Sequence, residues 1–142
     1  MPKLNVLWMS DSPVLNTGYA KVTWQILSRL KDTYNVHCAG WFHPSDQNEY
    51  RLGFPVYPAG TDFGHSAIGS LLSLSQPDVI VGLGDFWMLD WWREANLKTV
   101  APCVLYSLLV VLQGSFQEYD SIFKSRGCLV NPLLRSTLMG YY

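Results

Sequence analysis

The sequence is short of charge, and this scarcity excludes one large functional class. Charged residues make up 15% of the 142 residues, and the formal net charge is -1. Proteins that bind nucleic acid by neutralising phosphates carry a basic face, which ten Lys and Arg against eleven Asp and Glu do not provide. We therefore expect no nucleic-acid partner.

Cysteine is also scarce, and its spacing predicts neither disulfides nor a metal site. Cys38, Cys103 and Cys128 lie far apart, each in an apolar run, and no pair has the spacing of metal ligands. Buried free thiols are the expected state, which fits a reducing compartment and hence a cytoplasmic location. The cysteines therefore predict no metal site.

No segment has the features of a membrane or targeting signal. The first apolar run is interrupted by Asp11 and does not resemble a signal peptide. The longest apolar stretch, residues 100–112, contains Pro and Ser and is shorter than the roughly 20 residues that span a bilayer. We expect no transmembrane segment.

Apolar and aromatic residues are abundant by contrast. Hydrophobic residues make up 49% of the chain and aromatic residues 14%, including six Trp. This composition predicts one folded domain with a sizeable core. The surplus of aromatic side chains predicts either a dense core or a surface that another molecule covers.

The stretch from residue 4 to residue 30 predicts the organisation of the rest. An apolar run at 4–9 is followed by a polar loop, and then Val22, Ile26, Leu27 and Leu30 repeat at helical spacing. Strand, loop and amphipathic helix are the opening of a β-α-β unit. Ligands bind such sheets at the carboxyl ends of the strands, so residues 11–19 are predicted to form a functional loop.

The remaining pattern predicts an α/β fold. Further strands are expected at 35–41, 54–58, 79–83, 103–106 and 128–130, and helices at 63–75, 88–95, 115–127 and from 133 onward. Two prolines place the 54–58 strand at an edge. We expect a single-domain, Rossmann-like, mostly parallel sheet with helices on both faces.

Two short segments at strand ends carry the candidate chemistry. Asn16, Thr17, Gly18 and Tyr19 precede a helix N-terminus, where free N–H groups attract anions and a glycine allows positive φ or close approach of a ligand. The alternative is a plain turn that Thr17 caps. The G-x-G-x-x-G and Walker A patterns are missing, which disfavours ordinary dinucleotide or nucleoside triphosphate binding.

The second segment, residues 82–87, places Asp85 after the central strand and near Asp11. Two carboxylates at adjacent strand ends can orient hydroxyls, act as a base or hold a cation. The alternative is that Asp85 caps the next helix. Trp87 is a candidate for stacking on a sugar, whereas the helical spacing of Trp91 and Trp92 indicates core positions.

Histidines provide further candidates in loops at the same edge. His43 and His65 could each act as a base or bind a sugar hydroxyl, and the alternative is simple solvent exposure. His37 lies inside a strand and is expected to be structural.

These segments together resemble the N-terminal part of group 1 (family 4-like) glycosyltransferases of the GT-B fold. The resemblance covers about the first three quarters of the chain, and it is carried by residues 7–13, 17–23, 28–30, 36–37, 76–81 and 84–87. It implies two Rossmann-like domains across a cleft, the N-terminal one for the acceptor and the other for a nucleotide-sugar, usually without a metal. We therefore expect no metal and no cofactor, with the nucleotide-sugar as a substrate. Residues 107–114 depart from the family pattern, and the family's Glu-rich donor motif has no match here.

The resemblance also implies roles for individual residues. Thr17 and Gly18 would reach toward the donor phosphates, while Asp85, as the catalytic residue, and Trp87 would face the acceptor. The predicted substrate-binding residues are Asp11, Asn16, Thr17, Gly18, Tyr19, Lys21, His43, His65 and Trp87.

We expect residues 1–142 to form only this N-terminal domain, without the donor-binding domain, and to be inactive alone. Tyr19, Phe42 and Trp87 should then be partly exposed, and a homodimer could form through the open edge. A non-catalytic binding or assembly module is the first alternative. A receiver-like regulatory domain is the second, although the acidic pair after the first strand and a Lys near residues 131–132 are missing.

Overall fold

A computed structural model describes residues 2–44, 52–97, 100–101, 103–106 and 129–130. The elements in chain order are β1 (Asn5–Asp11), α1 (Gly18–Leu30), β2 (Asn35–Trp41), β3 (Val56–Pro58), α2 (Ile68–Ser75), β4 (Val79–Leu83), α3 (Phe86–Leu89), α4 (Trp91–Glu94), β5 (Cys103–Tyr106) and β6 (Leu129–Val130). The helices predicted at 115–127 and from 133 onward lie outside the described residues.

The strands form one sheet in the order β3-β2-β1-β4-β5-β6, and every pair is parallel. This arrangement confirms the α/β class and the edge position of the proline-containing strand.

The strand order reverses between β1 and β4, because the chain first adds β2 and β3 on one side and then β4 to β6 on the other. A crevice at such a reversal is where open α/β sheets bind ligands.

The two faces of the sheet are covered by different helices. Along β1, Leu7 and Met9 face a core that includes Leu71 of α2 and Trp92 of α4, while Trp8 faces a core that includes Leu27 of α1. Alternation along the strand produces these two layers. The prediction of helices on both faces is therefore confirmed.

The second predicted helix is shorter than expected. It begins at Ile68 instead of residue 63, because Phe63 and Gly64 have φ values of 57° and 88°, which an α-helix does not contain.

The helix predicted at 88–95 is two four-residue helices that meet at Asp90. Met88 N–H donates to Asp85 C=O at 3.0 Å and Arg93 N–H to Asp90 C=O at 3.2 Å, which are bonds of the tighter three-residue type. Both Leu89 and Trp92 are buried in the core.

Two further expectations concern the core and the membrane. Cys38 is fully buried as a free thiol, and burial raises its pKa. Among the described residues, no helix is long and apolar enough to cross a bilayer.

Candidate functional site

The loop after β1 is built on Thr17. Its Oγ1 accepts a hydrogen bond from the Ala20 N–H at 3.1 Å, which caps α1, and donates one to Asp11 Oδ2 at 2.7 Å. The capping reading of Thr17 is thus confirmed, and the same hydroxyl fixes the carboxylate at the end of β1. Asn16 is exposed beside it.

Gly18 is the first residue of α1, is exposed, and does not have positive φ. Of the two reasons predicted for a glycine here, positive φ does not apply, because the residue adopts helical geometry, and close approach of a ligand stays a prediction. A Cβ built on Gly18 would meet nothing within 4 Å. In the part of the chain that the structure describes, no atom therefore occupies the space beside Gly18 at the helix N-terminus, where the first N–H groups of a helix lack intrahelical partners. Lys21, three residues further along α1, is also exposed.

The centre of the site is a hydrogen bond between Tyr19 and Asp85. The Tyr19 hydroxyl donates to Asp85 Oδ1 at 2.5 Å, and Asp85 is only 8% exposed. Burial raises the pKa of the Tyr19 hydroxyl well above its usual value of 10.0, and the hydrogen bond to Asp85 and the charges of Asp85 and Asp11 add to that effect. Tyr19 therefore stays a donor at every physiological pH.

Asp85 occupies the N-cap position of α3 but makes no side-chain capping bond. The alternative that the Asp85 carboxylate caps α3 is therefore wrong. One of its oxygens accepts a hydrogen bond from Tyr19 instead. Tyr19 was expected at this edge, but its pairing with Asp85 could not be read from the sequence. The two residues are 66 positions apart and meet because β1 and β4 are neighbours.

The three histidines are in different surroundings. His43 is half-buried after β2, and its Nδ1 lies 2.7 Å from Ser12 Oγ, which ties it to the end of β1. His65 is exposed and stacks on Trp91 with ring centroids 4.9 Å apart. His37 lies within 3.1 Å of the Tyr57 hydroxyl, and burial lowers its pKa, in keeping with a structural role.

Exposed aromatic residues also lie at the carboxyl ends of the strands, which we call the carboxyl edge of the sheet. Trp87 is 57% exposed and Phe42 is 44% exposed, while Tyr19 is half-buried, so the predicted partial exposure of all three is confirmed. Both Trp87 and Phe42 contact the ring of Phe63 edge-to-face, at centroid distances of 5.2 Å and 5.9 Å. Phe63 in turn contacts the fully buried Trp41 at 5.2 Å.

Phe42 and Phe63 both have positive φ, 55° and 57°. For a bulky side chain this left-handed geometry costs about 1–2 kcal/mol per residue. Phe63 was not among the residues predicted for the site, because nothing in the local sequence marks an aromatic residue that adopts this geometry.

The arrangement can orient hydroxyl groups. Asp11 and Asp85 each keep a second carboxylate oxygen beyond the bonds to Thr17 and Tyr19, and carboxylates accept hydrogen bonds strongly. Within the described residues, no group of three or more His, Cys, Asp or Glu side chains is placed to hold a metal ion.

A cavity of about 390 Å³ lies away from this edge. Lys31, Asn35 and Phe54 are among the residues that line it, beside the start of β2. None of the predicted site residues contributes to it, so it does not bear on the carboxyl-edge site.

The sequence matches no protein-family model, and comparison with curated proteins gives no significant match.

Proposed function

We propose that this chain is the acceptor-binding, Rossmann-like half of a GT-B glycosyltransferase, which transfers a sugar from a nucleoside-diphosphate sugar to an acceptor hydroxyl. The observation that carries the proposal is the Tyr19–Asp85 pair at the strand-order reversal, 2.5 Å between oxygens, with the open N-terminus of α1 beside it. Two of the segments that carry the family resemblance, residues 17–23 and 84–87, contribute Tyr19 and Asp85 to this pair.

In this proposal Asp85 positions the acceptor. Tyr19 holds Oδ1, which leaves Oδ2 to accept a hydrogen bond from the acceptor hydroxyl and to draw its proton as the new bond forms. Fixing a nucleophile in this way lowers the entropic part of the barrier. Because its pKa is raised, Tyr19 keeps its proton near neutrality and continues to donate to Asp85.

The N-terminus of α1 would stabilise the leaving diphosphate. Negative charge grows on the diphosphate as the sugar departs, and free N–H groups aimed at that charge stabilise the transition state. Gly18 suits this role, since among the described residues a Cβ there would meet no atom within 4 Å outside its own helix and neighbours, and its absence leaves room for a phosphate. The nucleotide itself would be bound by a second domain, as the resemblance implies.

We also propose a cellular compartment and binding partners for this chain. A reducing, cytoplasmic compartment suits the buried free thiol of Cys38. The partners would be a nucleotide-sugar, a hydroxyl acceptor, and a second protein surface against the exposed aromatic edge. A receiver-like role has less support, because the carboxylates of Asp11 and Asp85 are already bound by the Thr17 and Tyr19 hydroxyls.

The test is a titration of the ¹⁵N-labelled chain with UDP-glucose and GDP-mannose, followed by backbone amide shifts. We expect binding in about the millimolar range, near -4 kcal/mol, with shifts confined to residues 16–19 and 84–87. A Gly18→Val change should abolish the shifts by filling the open space. Gly69→Val is the matched control, because a Cβ there also meets nothing within 4 Å but lies on α2.

Two results would contradict the proposal. A dissociation constant of about 1 μM, near -8 kcal/mol, would indicate a complete donor site within this chain. Saturating nucleotide-sugar without any amide shift at the carboxyl edge would remove the transferase assignment and favour the binding or assembly module.

A further inference from the structure

A cavity at the opposite end of the sheet from the Tyr19–Asp85 pair has no role in the proposed function. Its volume is about 390 Å³, and residues from the end of α1, the start of β2 and the segment before β3 line it. Because β2 and β3 are parallel, the cavity lies at the amino ends of both strands, which we call the amino edge. Pockets that bind small molecules have volumes of roughly 300–1,000 Å³, so this cavity has room for a small ligand.

The position of the Lys31 ammonium is the most informative feature of the cavity. Lys31 is partly buried directly after α1. A Cβ added to Gly53 would lie 2.6 Å from Lys31 Nζ and 3.4 Å from its Cδ. The lysine side chain therefore lies across the Gly53 backbone, in space that a larger residue would fill. The φ of 80° at Gly53 also favours glycine at this position.

The charge of Lys31 is not compensated within the described residues. Lys31 is the one charged residue among those that line the cavity, and no hydrogen bond or ion pair in the described part of the chain holds its ammonium. Asp32 follows it but is exposed and is not a lining residue. His37 lines the cavity without adding a second charge near neutral pH, because burial lowers its pKa from the usual value of 6.5. The cavity therefore favours an anion.

The remaining lining residues restrict the kind of anion. Val36 and Phe54 are buried members of the core beneath α1, and Pro55 is a third apolar lining residue. The Asn35 amide nitrogen already donates to Asn5 Oδ1 at 3.1 Å. One cation beside apolar walls suits a single negative charge on an apolar molecule, whereas a phosphate has more charge and more acceptor oxygens to satisfy.

We propose that the amino-edge cavity binds a small organic monocarboxylate, whose carboxylate pairs with Lys31 and whose apolar body lies against Val36, Phe54 and Pro55. The inference does not depend on the transferase assignment, because this cavity and the Tyr19–Asp85 pair lie at opposite edges of the sheet.

The experiment is a titration of the ¹⁵N-labelled chain with benzoate and with hexanoate, followed by backbone amide shifts. We expect at least one of the two to bind in a saturable way, with shifts centred on residues 31, 35–37 and 53–54. Three comparison probes each lack one required feature. Benzamide keeps the ring without the charge, benzylamine reverses the charge, and inorganic phosphate has no apolar body. Each should bind about tenfold more weakly or not at all.

Substitutions then locate the binding. Lys31→Met removes the charge but keeps a long apolar side chain, and it should weaken carboxylate binding about tenfold. Lys31→Arg keeps the charge and should retain most of the binding. Arg29→Met is the matched control, because Arg29 is an exposed cation in the last turn of the same helix but is not among the lining residues. Amide spectra of each variant confirm that it is folded.

The inference is overturned if neither carboxylate produces saturable shifts at its solubility limit, or if benzamide or phosphate binds as tightly as the carboxylates. It is also overturned if folded Lys31→Met binds as tightly as the parent chain, or if Arg29→Met weakens binding as much as Lys31→Met does. Carboxylate shifts confined to residues 16–19 or 84–87 would place the anion at the carboxyl edge and would contradict the inference as well.

Discussion

Replacing Gly18 with Ala tests the geometry at the start of α1. Gly18 is helical, exposed and free of positive φ, and a Cβ there would meet nothing within 4 Å. The new methyl group therefore causes no clash. It restricts the unfolded chain, which loses less entropy on folding, so the variant should be more stable than the parent.

The expected gain is about 0.5–1 kcal/mol in the free energy of unfolding, toward the lower end because the residue lies in the first helical turn. For a domain near this size, that corresponds to a rise of about 1–4 °C in the melting temperature. Differential scanning fluorimetry and urea denaturation both resolve a change of this size.

Two other glycines provide controls in the same assay. Gly69→Ala should also stabilise, since its Cβ meets nothing within 4 Å. Gly82→Ala should destabilise by about 1–3 kcal/mol, because its Cβ would lie 2.8 Å from the buried ring of Trp92. A loss of stability in Gly18→Ala comparable to that in Gly82→Ala would refute the open geometry, and with it the room for a phosphate.

Two further changes test the site. Tyr19→Phe should lower the free energy of unfolding by about 1–2 kcal/mol in urea denaturation, because Asp85 loses its charge-assisted partner. Since the folded chain raises the pKa of Tyr19 above its usual 10.0, this contribution is fully present below pH 10 and is lost as pH rises beyond it. The variant should therefore lose less stability above pH 10, and parallel alkaline curves would contradict the assignment. Phe42→Gly should be more stable than Phe42→Ala by about 1 kcal/mol, because only glycine accepts the φ of 55° without strain. The usual order, Ala above Gly, would refute the positive φ.

The local pattern of apolar residues and prolines in the sequence was sufficient to predict many of the helices and strands. The apolar period of residues 22–30 predicted the amphipathic helix, the continuous run at 79–83 predicted a buried strand, and the two prolines predicted an edge strand. Thr17 was readable as a cap because capping depends on the next three residues. These features depend on neighbours along the chain, and the sequence contains that information directly.

Other features were decided only by the tertiary structure. The sequence placed Asp85 and Tyr19 at one edge, but their hydrogen bond depends on β1 and β4 lying side by side. The break at Asp90 and the positive φ of Phe63 are likewise absent from the helical periodicity of the sequence, because tertiary context can override local helix preference. Sequence periodicity reports which side of an element is apolar. It does not report which distant side chain that element will meet, because the contact depends on strand order and register.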